Sequence, residues 1–106
     1  MSPFTVLAEP NRRRLLDALI NGPMTMGDLV DHSGMSQPSV SKHLRYLREG
    51  DFVRVDQDGQ KRRYYVDPGP LQSVDAWLAP YREFWAGGLD ALERHLADRQ
   101  NQTDKT

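Results

Sequence analysis

Apolar positions recur with helical spacing through the first half of the chain, alternate briefly after residue 51, and return to helical spacing after residue 70. Ser2 and Pro3 read as an N-cap and first-turn proline for a short helix carrying Phe4, Val6 and Leu7. Pro10 breaks it. Asn11 then caps a second helix with core positions Leu15, Leu16, Leu19 and Ile20, and Asn21-Gly22-Pro23 ends it. Thr25 reads as the next N-cap, with Asp28 at N3 completing a short capping box and Met24 and Leu29 placed for a hydrophobic staple. Leu29 and Val30 face inward, and Gly34 suits a left-handed helix end. Ser36 begins a fourth helix at once, with Pro38 in its first turn, where a missing N–H costs little. Val40, Leu44 and Leu47 form its inward stripe, and Gly50 closes it.

The period then changes to two. Phe52-Val53-Arg54-Val55 predicts a strand, Asp58-Gly59 a hairpin turn, and residues 61–66 the return strand, with Tyr64, Tyr65 and Val66 supplying β-propensity. Asp67-Pro68-Gly69-Pro70 stops the hairpin. From Leu71 the apolar residues Val74, Leu78, Tyr81, Trp85, Leu89, Leu92 and Leu96 step by three or four, with Trp77 and Phe84 widening the stripe. This predicts a long helix over roughly residues 71–97, kinked or divided by Pro80 and Gly87-Gly88. Residues 99–106 are polar, without periodicity, and read as a flexible tail after one domain over residues 1–98. The fold class is mainly α with a small β-hairpin. A helix–short turn–helix followed at once by a hairpin is the winged helix-turn-helix arrangement, here with a long C-terminal helix.

Composition narrows what this fold does. With 106 residues the chain fits a single domain, and with no cysteine it excludes disulfides, thiolate metal sites and cysteine nucleophiles. No apolar run approaches the roughly 18 to 20 residues of a membrane span, and the N-terminus lacks a signal-peptide pattern, so a cytoplasmic address is expected. The net charge of −1 conceals an asymmetry. Residues 36–66 hold seven Lys and Arg against four Asp and Glu, a net of +3, while the remainder carries −4. A positive head sits on an acidic body.

The candidate chemistry lies in that head. On the fourth helix the outward face carries Pro38, Lys42, Arg45 and Glu49, flanked by Ser39, Ser41 and Tyr46, with Gln37 in the first turn. Cations with small hydroxyls near a helix N-terminus suit major-groove bases and phosphates, and Arg45 suits a guanine edge or a phosphate. His43 lies beside the inward stripe, as either a boundary histidine or a phosphate contact. Lys61-Arg62-Arg63 follows the hairpin tip, where a strand sends successive side chains to opposite faces. One or two of these are expected outward, on phosphates or in a minor groove, although Asp56 and Asp58 weaken the local field. Arg12-Arg13-Arg14 falls in a helix first turn, where the dipole disfavours cations, which points to a buried pair with an acid or a phosphate contact, the ion pair being expected for at least one. No phosphate loop, nucleophile elbow or zinc-protease motif occurs, and the three histidines do not pair at helical spacing, so no enzymatic activity is indicated.

Ala8-Glu9-Pro10-Asn11-Arg12-Arg13-Arg14-Leu15-Leu16 resembles the opening motif of ArsR-type winged-helix transcriptional regulators. Ser36-Gln37-Pro38-Ser39-Val40-Ser41-Lys42-His43-Leu44 resembles their recognition helix, Gly59-Gln60-Lys61-Arg62-Arg63-Tyr64-Tyr65 their wing, and Trp77-Leu78 to Phe84-Trp85 the last helix of the non-metal, autorepressor-like branch. The resemblance spans roughly residues 4–98. It implies a homodimeric repressor contacting double-stranded DNA through Gln37, Ser39, Ser41, Lys42, His43 and Arg45, with Lys61, Arg62 and Arg63 on the wing. It also implies a dimer interface from the first and last helices, carried here by Phe4, Leu7, Trp77, Leu78, Tyr81, Trp85, Leu89 and Leu92. Metal-sensing members carry cysteine pairs where this chain has Met26, Gly27 and Asp28, or paired ligands on the last helix where it has His95 alone. No metal site and no cofactor are therefore expected. The expected activity is sequence-specific regulation at an imperfect palindrome, with successive major grooves occupied by two heads. The rival reading is an interaction module that dimerises without specific DNA binding. The aromatic stripe as a pocket for an unidentified apolar effector is a third.

Overall fold

The computed structural model describes residues 2–104, excluding the side chains of residues 89, 91 and 100–104. The helices are α1 (Pro3–Leu7), α2 (Pro10–Leu19), α3 (Met26–Ser33), α4 (Gln37–Glu49) and α5 (Gly69–Asp104). Between α4 and α5 the strands β1 (Val53–Asp58) and β2 (Lys61–Val66) form an antiparallel hairpin. The chain divides into two compact units, one ending at Val74 and one beginning at Asp75. No described helix is long and apolar enough to cross a membrane.

The first unit is built around α2, which packs on α1, α3, α4 and β2. Val6, Leu15, Leu19, Leu29, Val40, Leu44, Leu47 and Phe52 are buried in one core, and Tyr64 closes it from the hairpin. Ile20 does not join them. The helix ends at Leu19, and Ile20, as its cap, is 77% exposed. The start of α2 also differs from the sequence reading. Glu9 is the N-cap, its carboxylate accepting from Asn11 N–H at 3.1 Å, and Pro10 opens the helix rather than breaking the one before.

The helix-turn-helix follows its local signals. Thr25 and Asp28 form a complete capping box, each side chain accepting from the other's backbone N–H at 3.1 Å. These bonds, with Arg63 and Lys61 adding smaller attractions, hold the Asp28 carboxyl below its ordinary pKa. Gly34 turns left-handed at φ +72°, and three residues later α4 begins from the Ser36 cap. At the far end of α4 the left-handed residue is Asp51 (φ +64°), not Gly50. Phe52 N–H donates to Leu47 C=O and Asp51 N–H to Arg48 C=O, a Schellman closure. Gly50 answers a packing need instead: a Cβ there would stand 2.8 Å from Val6 Cγ2.

In the hairpin Asp58 pairs with Lys61, so the two turn residues are Gly59-Gln60, one position later than the sequence signal suggests. Gly59 takes φ +61° and Gln60 does not turn positive, the φ pattern of a type II′ turn. Met24 adds a two-way backbone bridge to Tyr64, at 2.9 and 2.7 Å. At the hairpin's end Asp67 accepts from Gly69 N–H at 2.9 Å and from Arg54 Nε at 2.5 Å. This lowers the Asp67 pKa, through Arg54 first, and raises that of Arg54.

Among the described residues the three adjacent arginines do not pair with acids. Arg12 donates to the Thr5 and Val6 carbonyls at 3.4 and 3.3 Å and stacks 4.3 Å over the Tyr46 ring. Arg13 donates to Leu7 C=O at 2.6 Å and Ala8 C=O at 3.3 Å. Arg14 donates to Ser33 C=O at 2.6 Å and to Asn11 Oδ1 at 3.2 Å. Carbonyls at the C-terminal ends of α1 and α3 are what these guanidiniums serve. The position of Arg12 and Arg13 at the start of α2 is unfavourable for that helix, while the carbonyl contacts favour the ends of α1 and α3.

In the second unit, α5 is one helix through Pro80 and Gly87-Gly88, neither divided nor ended there. It continues to Asp104, so the segment from residue 99 that reads as a flexible tail is helical over most of its length. Trp77 and Tyr81 meet at a tilt of 44° with ring centroids 5.0 Å apart.

Candidate nucleic-acid interface

Helix α4 presents its outward face as the spacing predicts. Gln37, Ser41, Lys42 and Arg45 are exposed, with Gln37 at the first helical position. Ser39 is half-buried: its N–H donates to Ser36 Oγ at 3.3 Å, and its hydroxyl turns back to Met35 Sδ at 3.9 Å. His43 is buried, 8% exposed, which fits the boundary histidine of its two readings rather than an outward phosphate contact. Its position one residue before Leu44 places it on the α2 side of the helix, beside Glu9 and Arg12. Burial lowers its pKa below 6.5, Glu9 opposing and Arg12 and Lys42 reinforcing that shift.

The hairpin cations divide as strand alternation requires. Arg62 shares the face of buried Tyr64, its guanidinium 5.9 Å from that ring, while Lys61 and Arg63 lie on the other face. Lys61 and Arg62 are exposed. Arg63 is half-buried and sits 3.5 Å from the Asp58 carboxylate. Two clefts join the hairpin to the helices. One, of ≈ 590 Å³, brings Gln37 together with Lys61, Arg62 and Arg63 above the start of α3. The other, of ≈ 250 Å³, brings Ser41 and Arg45 to Arg62. Arg48 lines it too, a residue absent from the sequence-derived set although it continues the i, i+4, i+7 row from Ser41 through Arg45. Helix and wing thus offer one continuous basic surface, with cations from both at short range of small hydroxyl and amide groups.

Residues 9–55 match the family model for bacterial regulatory proteins of the arsR family. The chain is 35% identical over 75 residues to the transcriptional repressor SdpR of Bacillus subtilis, covering 71% of this chain and 83% of that one. It is 32% identical over 100 residues to the HTH-type transcriptional regulator Rv2034 of Mycobacterium tuberculosis, covering 94% and 91%. The chain belongs to the ArsR family. A crystal structure of a possible transcriptional regulator for arsenical resistance superimposes with a TM-score of 0.67 at 37% identity, over 92% of this chain and 96% of that one. As an ArsR-family member the protein is a DNA-binding transcriptional regulator with a winged helix-turn-helix. Its α4 holds the recognition-helix position and its β1–β2 hairpin the wing.

The residues expected at a dimer interface fall in both units. In the first, Phe4 is exposed and Leu7 half-buried, the latter lining an apolar groove with Leu16, Ile20, Val66 and Leu71. In the second, Trp77, Tyr81, Trp85 and Leu92 are exposed along α5, joined by Phe84 and Leu96, and Leu78 is half-buried. The side chain of Leu89 lies outside the described residues.

Proposed function

We propose that the protein represses transcription in the cytoplasm as a homodimer, seating two copies of α4 in successive major grooves of an imperfect palindromic operator. Gln37, Ser41, Lys42 and Arg45 make the helix contacts, Ser39 contributes through its backbone approach, and Lys61, Arg62 and Arg63 support them from the wing. The carrying observation is the joint lining of two clefts by the exposed face of α4 and the basic strand β2. Neither element alone would distinguish a reading head from a solvated charged face. The repressor SdpR, similar over most of its length, supports the regulatory sign. The dimer rests on α5, where Trp77, Tyr81, Phe84, Trp85, Leu92 and Leu96 are all exposed. A contiguous aromatic and aliphatic row of that kind is rare on a monomer surface. No catalytic role and no metal or cofactor is assigned.

Selection of bound duplexes from a random pool tests the reading. The expected product is an imperfect palindrome with half-sites about 10 base pairs apart, centre to centre. Binding that is weak and indifferent to sequence at physiological salt would instead make the chain an interaction module.

A further inference from the structure

Helix α4 and the wing enclose a cleft whose rim is all cation and hydroxyl. Arg45 and Arg48 reach it from the helix and Arg62 from β2, with the Ser41 hydroxyl beside them. Its floor is apolar: Met26, Leu44 and Tyr64. No acid lines it. Among the described residues the ion pairs take Arg54, Arg63 and Arg82 and leave Arg45, Arg48 and Arg62 without a carboxylate. On its other side the Arg45–Arg48 row borders a cleft where charges alternate, with Glu49, Asp51 and Arg54. The printed ion pairs of the region thus fall on the other cations, and within this cleft three arginines meet with no acid among its lining residues.

Like charges brought together over an apolar floor repel more strongly than in open water, and a bound anion relieves that repulsion. Aromatic rings hold two of the three in place, Arg62 at 5.9 Å from Tyr64 and Arg45 at 5.7 Å from Tyr46. A guanidinium fork matches the two free oxygens of a phosphodiester, and the apolar floor suits the face of a deoxyribose. The volume of ≈ 250 Å³ admits one such sugar–phosphate unit.

We propose that this cleft binds one backbone phosphodiester of the DNA beside each half-site, with Arg48 as a contact in its own right. The inference rests on the reading of α4 and the wing as the DNA-facing surface. Arg48 then contributes affinity without sequence preference and sets the head's register against the duplex. Its neighbour Arg45 is left able to reach a base edge, because the phosphate is shared with Arg48 and Arg62.

The test uses the full-length protein, with Arg48→Ala and Arg48→Lys, and measures the slope of log affinity against log salt on the selected operator and on an unrelated duplex. Arg48 is exposed, so neither change disturbs the core. The expected result for Arg48→Ala is a slope shallower by about 0.9 for each bound head on both duplexes, with the ratio of operator to unrelated affinity unchanged. Arg48→Lys keeps the wild-type slope. Inorganic phosphate, titrated against the arginine side-chain NMR signals without DNA, separates a free-anion site from a DNA contact. An unchanged slope in Arg48→Ala overturns the proposal, and a response of Arg48 to inorganic phosphate would then identify a site for a free anion. A wild-type protein with no operator preference defeats the regulatory reading, while the slope on the unrelated duplex still decides for or against the cleft.

Discussion

At the scale of single residues, two positions carry more than their surroundings suggest. His43 is buried on α4 with Nδ1 unpartnered, and burial favours its neutral form. Glu9 favours the charged form, and Arg12 and Lys42 oppose it. Between the folded pKa and about 6.5 the unfolded chain binds a proton that the folded chain refuses, so stability falls as pH falls through that window. One such proton contributes at most about 1.4 kcal/mol per pH unit. Urea unfolding of the wild type should therefore weaken from pH 7 toward pH 5.5, and His43→Leu should flatten that dependence; parallel curves would remove His43 as the cause. Gly50 is the second case. Its φ of −86° is open to alanine, so the constraint is the 2.8 Å approach of a Cβ to Val6 Cγ2. Gly50→Ala should cost about 1–3 kcal/mol through overpacking. Val6→Ala in the same chain should cost less than it does alone, and strict additivity in that double-mutant cycle would show that the contact is not the reason for glycine.

At the scale of elements, what the sequence shows well is whatever local chemistry decides. The Thr25–Asp28 box, the left-handed Gly34, the Ser36 cap and the strand over 61–66 are all where residue type and spacing place them. The misses have a common physical origin in tertiary partners. Asp58-Gly59 is a strong turn signal, but the pairing of β1 with β2 sets the register, and Gly59-Gln60 makes the turn. On α4 Arg48 continues the helical row from Ser41 through Arg45, but only Arg62 across the cleft sets it apart from an ordinary solvated cation. The arginine triplet is the clearest instance, since its backbone acceptors are carbonyls 5 to 19 residues away along the chain. Arg14 is the one that joins α2 to the end of α3, just before the helix-turn-helix bend. Arg14→Ala should lower stability by about 1 kcal/mol, the net worth of a charge-assisted bond discounted for exposure, and Arg14→Lys should recover part of it. Equal urea midpoints for the wild type and Arg14→Ala would show that Ser33 C=O is satisfied by water instead.

At the scale of the whole molecule, a net charge of −1 and a DNA-binding activity are reconciled by where the charge lies. The head carries +3 over residues 36–66, and Asp58 and Asp67 already engage Arg63 and Arg54. So few free cations give one head only modest affinity, and two heads held together gain through effective concentration, by about 10²–10⁴-fold when both sites are reachable at once. The first unit has its own closed core, whereas Trp77, Tyr81, Phe84, Trp85, Leu92 and Leu96 of the second stand exposed, Trp85 at 53%. A substitution on α5 therefore separates assembly from folding. Trp85→Glu places a charge in the aromatic row, where burial in a dimer would leave it unpaired. Light scattering should show the variant as a monomer at concentrations where the wild type is a dimer. Its affinity for the full palindrome should fall by at least about 100-fold, while its affinity for a duplex with one half-site, and the unfolding of the head, stay near wild type. A variant that remains dimeric and binds the palindrome normally would move the interface off the Trp85 face. One that becomes monomeric without losing affinity would show that a single head suffices, and the palindrome would no longer be required.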